Sequence, residues 1–213
     1  TCTTQDDCGG SNSEYYCQIT NYTHTGAWTE SNTACYDPNS ITGTCRRVSD
    51  VPYTDASVTS LGSVRLSHDW MNWWTANSWC QAQGKSLIDV KNFQAYRSGT
   101  NTLIVEGSTW SYEGCAQGKI CEYWTNSPYN QMWYGNTLTN AVDANGEKYQ
   151  DKYSAVIKDL RVKFNSNSAY LWTKSSGGNT NKNACHAFSV YLAYGGVNFN
   201  RRYEYGGFLA LCK

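Results

Sequence analysis

Ten cysteines constrain this chain of 213 residues more than any other feature. They are Cys2, Cys8, Cys17, Cys35, Cys45, Cys80, Cys115, Cys121, Cys185 and Cys212, an even number at irregular spacing. No Cys-x-x-Cys pair occurs, and His24, His68 and His186 are the three histidines. Structural zinc needs clustered Cys and His at short, regular spacing, so no metal and no other cofactor is expected. The reading that fits is disulfide bonding in an oxidising compartment, which places the protein outside the cell or on its surface.

Charge narrows the partners. Formal net charge is zero and 16% of residues are charged. Such a surface exerts no net pull on nucleic acid or on anionic lipid, so neither is expected as a partner. No apolar run is long enough to span a bilayer, and no direct membrane insertion is expected. The chain begins at Thr1 without Met, so a signal or anchor, if the gene encodes one, lies outside this sequence. There are 17 Tyr and 9 Trp against 5 Phe. Side chains with an apolar body and a polar tip suit contact surfaces as well as cores.

The first stretch, residues 1–47, holds five of the cysteines, few aliphatics and many Ser, Thr, Asn and Asp. It cannot build an apolar core alone, so cross-links must supply its order. CTTQDDCGGSNSEYYC resembles the short cysteine-rich, EGF-like modules of exported proteins. Five is odd, so one cysteine here is expected to bridge to the main body, residues 48–213. The alternative is that residues 1–47 are only a spacer. Asn21-Tyr22-Thr23 is a glycosylation sequon, meaningful in a eukaryotic source.

Residues 48–66 are rich in Val, Thr and Ser and read as extended. A helix is expected over 67–83, with Ser67 as N-cap, Asp69 in the first turn and Gly84 as the stop. Trp73, Ala76, Asn77 and Cys80 recur at helical spacing, and the tryptophans read as core. Residues 99–146 are polar, aromatic and glycine-dotted, a long irregular excursion. A second helix is expected over 150–163, with Tyr153, Val156, Ile157 and Leu160 on one face. Residues 169–173 read as a strand and 174–183 as a loop. In the tail, Phe188, Val190 and Leu192 alternate with Ser189, Tyr191 and Ala193, the period of a strand with one buried face. Gly195-Gly196 and Gly206-Gly207 mark turns, and FLALC reads as a final buried strand. The tail is expected to be a meander with Tyr191, Tyr194, Asn198, Asn200, Tyr203 and Tyr205 facing out.

MNWWTANSWCQAQGKSL carries the pattern W-x-x-A-x-x-x-C-x-x-x-G-x-x-L at Trp73, Ala76, Cys80, Gly84 and Leu87. This resembles the first helix of C-type lectin-like domains. AYLWT and LALC resemble two of that family's strands. The resemblance covers about residues 55–212. It implies an α+β, C-type lectin-like fold with two helices, antiparallel strands and long irregular loops, and a small disulfide-rich N-terminal module. It also implies a Cys80–Cys212 bridge. A loop of that length contributes roughly 4–5 kcal/mol in the chain-entropy model. The chain departs from the calcium-dependent sugar-binding members. It has no Glu-Pro-Asn, Gln-Pro-Asp or Trp-Asn-Asp tripeptide, and Trp124-Thr125-Asn126 is the nearest echo. DANGE at 143–147 has the flavour of a calcium loop without its remaining ligands.

The tail pattern V-x-L-x-x-G-x-V-x-x-x-x-R, followed by G-F and L-C, resembles the variable region of proteins diversified by retroelements in bacteria and their phages. That resemblance implies a variable region of about 174–206. Its fixed positions would be Val190, Leu192, Gly195, Val197, Arg202, Gly207 and Cys212. Its varied positions would be Ser189, Tyr191, Ala193, Tyr194, Gly196, Asn198, Phe199, Asn200, Tyr203, Glu204 and Tyr205. The alternative is an ordinary polar surface.

No G-x-S-x-G, H-E-x-x-H or phosphate loop is present. His186 beside Cys185 has the composition of a thiol site, but a disulfide is the better account of Cys185 in an oxidising compartment. The chain is expected not to be an enzyme. It is expected to be a ligand-binding or adhesion protein whose partner is a protein or glycan on another cell or phage. The expected binding residues are His186, Ser189, Tyr191, Ala193, Tyr194, Asn198, Phe199, Asn200, Tyr203, Glu204 and Tyr205, flanked by Trp172, Asn179 and Asn181. The alternative is a glycan-binding lectin, calcium-dependent or aromatic-stacking.

Overall fold

The computed structural model describes residues 1–25, 36–93, 154–176, 186–193 and 195–213. Its N-terminal part shows how a segment poor in aliphatics becomes ordered. Strands β1 (Tyr15–Asn21) and β2 (Thr42–Arg47) form an antiparallel ribbon with Cys17 opposite Cys45. A single 3-10 turn, Gln5–Cys8, precedes them. Cys2–Cys17 and Cys8–Cys45 tie the turn to the ribbon. The buried Gln5 amide acts as a further strut: it donates to the carbonyls of Gly10 and Tyr15 and accepts from Cys17 N–H. At Gly43 a Cβ would collide with the Gln18 carbonyl, so only glycine lets the ribbon close. Four of the five cysteines of this segment therefore pair among themselves, and Cys35 lies outside the described residues.

Residues expected to be extended form a hairpin, β3 (Tyr53–Val58) and β4 (Gly62–Ser67). The first helix, α1 (Trp73–Ala82), starts later than expected. Its N-cap is Asn72, whose side chain accepts from Thr75 N–H. Ser67 instead ends β4, and its hydroxyl accepts from Ala210 N–H. Both residues are competent caps; pairing of β4 with the sheet decides between them. Gly84 follows the helix at φ +67°, the left-handed stop its position called for. The second helix, α2 (Ala155–Lys163), is capped by Ser154 and buries Val156, Ile157 and Leu160 completely. Residues 150–153 of the expected helix, Tyr153 among them, lie outside the described residues.

Four more strands complete a six-stranded sheet: β5 (Tyr170–Ser176), β6 (His186–Tyr191), β7 (Gly196–Arg201) and β8 (Phe208–Cys212). Residues 174–176, expected as loop, belong to β5. The order is β3-β4-β8-β5-β6-β7. The tail is thus not a meander. Strand β8 leaves β7 and inserts between β4 and β5, antiparallel to the first and parallel to the second. The described architecture is α+β, with two helices on a strand-rich sheet. Cys80 of α1 is bonded to Cys212 of β8, closing a span of 132 residues.

Buried side chains fall into two clusters. One joins the cystines and Tyr16, Ile19 and Ile41 of the N-terminal segment to Trp73, Trp74 and Trp79 of α1, with Trp172 and Phe208. The other is aliphatic and lies under α2, holding Leu66, Ile157, Leu160, Leu171, Phe188 and Val190 with others. None of the helices is long and apolar enough to cross a membrane among the described residues.

Candidate ligand-binding surface

Strand β6 is internal to the sheet, and His186 through Val190 are buried without interruption. The single buried face expected from alternation is therefore two covered faces. Several expected contact residues point inward as a result. Ser189 is fully buried, and its hydroxyl donates to Asn200 Oδ1 at 2.7 Å. Asn198 and Asn200 are buried on β7. His186 is buried opposite Arg201. Trp172 is fully buried, stacked on Phe208 at 4.4 Å, and its Nε1–H donates to the Met71 carbonyl. These five are corrected from displayed to structural. Ser189 and Asn200 are tolerated in covered strands because their polar groups satisfy one another. Asn179, Asn181 and Tyr194 lie outside the described residues, as does the side chain of Phe199.

The same polar chain anchors the loop that follows. Asn200 Nδ2–H donates to Glu204 Oε2, and Arg201 N–H donates to Glu204 Oε1. Arg202 is fully buried over the Trp73 ring at 4.0 Å and donates through Nε–H to the His186 carbonyl. The Arg202 carbonyl in turn accepts from Trp73 N–H. From the N-terminal side, Tyr22 stacks on Tyr203 at 5.6 Å, 18° from coplanar, while Tyr36 and Trp74 back Tyr22.

What remains at the surface is compact. Tyr191 is half-buried and stacked on Tyr170 at 4.1 Å. Ala193, Tyr203 and Glu204 are partly exposed, and Tyr205 is 61% exposed. Beside Tyr205 stands Trp70, 62% exposed, although it falls within the helix expected over 67–83. Trp70 is three and four residues from Trp73 and Trp74, the spacing of a shared helical face. Because α1 starts at Trp73, that spacing carries no such meaning, and Trp70 is left in solvent ahead of the N-cap. Trp70 and Tyr205 line two adjoining depressions of about 450 and 220 Å³ between β1 and the 201–207 loop.

Electrostatics separate the supporting residues from the displayed ones. Burial, helped by Arg201 and Arg202, pushes the His186 pKa down to about 3, so the imidazole is neutral. Burial raises the Glu204 pKa, partly offset by its hydrogen bonds from Arg201 and Asn200. Burial pushes Arg202 down, with Tyr36 opposing. Among the described residues, the one cluster of candidate metal ligands is Cys2, Cys8 and Cys17, whose sulfurs are held in disulfides. No free thiol occurs among those residues either.

No protein-family model, curated protein or solved structure matches this chain. The surface must be interpreted from its own chemistry.

Proposed function

We propose that the chain is an exported, non-catalytic ligand-binding protein. In this reading a C-type lectin-like scaffold displays the 201–207 loop and its aromatic neighbours to a protein or glycan on another cell or phage. The observation that carries the proposal is the contrast inside the tail. Val190, Leu192, Val197, Arg202 and Cys212 are fully buried, whereas Tyr191, Ala193, Tyr203, Glu204 and Tyr205 reach solvent. A skeleton of this kind holds its shape while the outer side chains change, because exposed substitutions seldom cost more than about 0.5 kcal/mol. The Cys80–Cys212 bridge between α1 and the terminal strand supports the scaffold assignment. Three disulfides support export.

Diversification by a retroelement belongs to the same proposal, restricted by burial. Substitution is expected at Tyr191, Ala193 and Tyr203–Tyr205, and rarely at Ser189, Asn198 and Asn200. Sequencing the gene from several isolates tests this, together with a search of neighbouring DNA for a reverse transcriptase and a near-repeat of the tail. Binding is tested on arrays of surface proteins and glycans with wild type and a Tyr203→Ala/Tyr205→Ala double variant. Loss of the captured ligand is expected; because Tyr203 also stacks on Tyr22, unchanged Tm is expected only of Tyr205→Ala alone, which should weaken capture by itself. Capture that the double variant leaves intact refutes the assignment of the surface.

A further inference from the structure

We infer that the trough between β1 and the 201–207 loop is a calcium-independent site for a neutral oligosaccharide. This inference rests on the ligand-binding reading above and names the ligand class of that surface.

The first reason is the pair of rings. Trp70 and Tyr205 are each more than 60% exposed, yet both border the same two depressions. Scattered exposed aromatics need no explanation, but two that flank one concavity mark a contact surface. A pyranose presents an apolar C–H face and a rim of hydroxyls. The face packs on an aromatic ring, and the indole N–H or phenol O–H reaches the rim.

The second reason is the polar complement. At the end of strand β1 Ile19 is buried, while Gln18 and Thr20 on either side of it reach solvent and line the trough. Gln18 and Thr20 make no side-chain hydrogen bond among the described residues. Their amide and hydroxyl are thus available as donors and acceptors. The floor is built differently. Asn72 and Thr75 there already serve the β1 backbone: Asn72 Nδ2–H donates to the Ile19 carbonyl and Thr75 Oγ1 accepts from Ile19 N–H. The floor is therefore fixed and the rim is free, the arrangement of a preformed site.

The third reason is charge. Among the described residues neither Lys nor Arg lines the trough; Asp69 is its charged group, and the neighbouring His68 is held against Thr54 Oγ1 at 2.7 Å. Sialylated, uronic or sulfated sugars need cationic partners and would meet a carboxylate instead. One carboxylate also falls short of the several oxygens a calcium ion requires. Neutral sugar held by stacking and hydrogen bonds is the chemistry that remains.

Isothermal titration with cellohexaose, chitohexaose and mannohexaose, with and without EDTA, tests the inference. At least one of the three is expected to bind, unchanged by EDTA. Trp70→Ala is expected to weaken it about tenfold or more, near 1.4 kcal/mol, with Trp70→Phe intermediate and Gln18→Ala weaker by a smaller factor. Trp70 is exposed, so these variants are expected to keep the wild-type Tm. Three results overturn the inference: none of the sugars binds, EDTA abolishes binding, or Trp70→Ala leaves it unchanged. An array ligand lost in Tyr203→Ala/Tyr205→Ala but retained in Trp70→Ala would sink the sugar site while leaving the ligand-binding reading intact. Indifference of every ligand to both variants would remove both.

Discussion

The two buried clusters hold their parts of the molecule together by different means. Under α2 the side chains are Val, Leu, Ile and Phe, with no cysteine among them. Burial of each such side chain stabilises by about 1.5–3 kcal/mol. Against the N-terminal segment the cluster is built from cystines, tryptophans and tyrosines. Here backbone order comes from covalent closure and from buried polar struts such as Gln5, Asn72 and Thr75. Among the described residues the cross-links lie where the sequence offers few aliphatics, and the candidate binding surface is seated on that cross-linked side.

The difference can be broken from either side. Removing the long bridge with Cys80→Ala/Cys212→Ala is expected to cost roughly 5 kcal/mol in the chain-entropy model, read by urea unfolding. Trp73, Trp74, Trp79 and Trp172 all lie in the cross-linked cluster, so tryptophan fluorescence should report this loss directly. Phe188→Ala attacks the aliphatic cluster and is expected to cost about 3–5 kcal/mol with every disulfide intact. Equal sensitivity of wild-type stability and Phe188→Ala stability to reductant would show the two supports to be independent. Non-additive losses would show one cooperative core.

Acid provides a third, smaller probe. His186 has its pKa lowered by burial from 6.5 to about 3. Between those values the unfolded chain takes up a proton that the folded chain refuses, so stability is present above about pH 6.5 and falls as pH drops towards 3. His186→Asn should flatten that slope in unfolding curves measured across the window. The smallest effect belongs to Arg65 and Asp55, a bidentate pair at 2.7 and 2.8 Å on the outer hairpin. The Arg65 hydrogen bond lowers the Asp55 pKa, so its contribution is present above the unfolded value and lost as pH falls below it. Both groups are solvent-exposed enough for screening, and Asp55→Asn is expected to cost below about 1 kcal/mol.

How much of this was legible depended on whether the signal was local. Trp73, Ala76, Cys80 and Gly84 placed α1 and its stop, and Val156, Ile157 and Leu160 placed the buried face of α2. The Cys80–Cys212 pairing followed only from the family resemblance, and the bond is present. The tail misled because alternation reports the side-chain period, not what covers each face. Ser189 and Asn200 read as display residues, but the network through Glu204 shows where their polar groups go, and Asn198 is buried beside them. Strand order is non-local, so nothing in FLALC disclosed that it would insert between β4 and β5. Trp70 was hidden by a helix start misplaced by six residues, from Ser67 to Trp73.

The position of β8 has a consequence for how the chain reaches this state. Its neighbours β4 and β5 lie some 140 and 40 residues upstream. Until Phe208–Cys212 arrives, each of them presents an unpaired edge, the kind of template on which other chains assemble. A polypeptide emerging from its N-terminus first therefore carries the open border of β4 through most of its synthesis and that of β5 only near the end. Cys80 and Cys212 can be joined only once β8 is in place, and the two electrons their thiols give up must pass to an external oxidant.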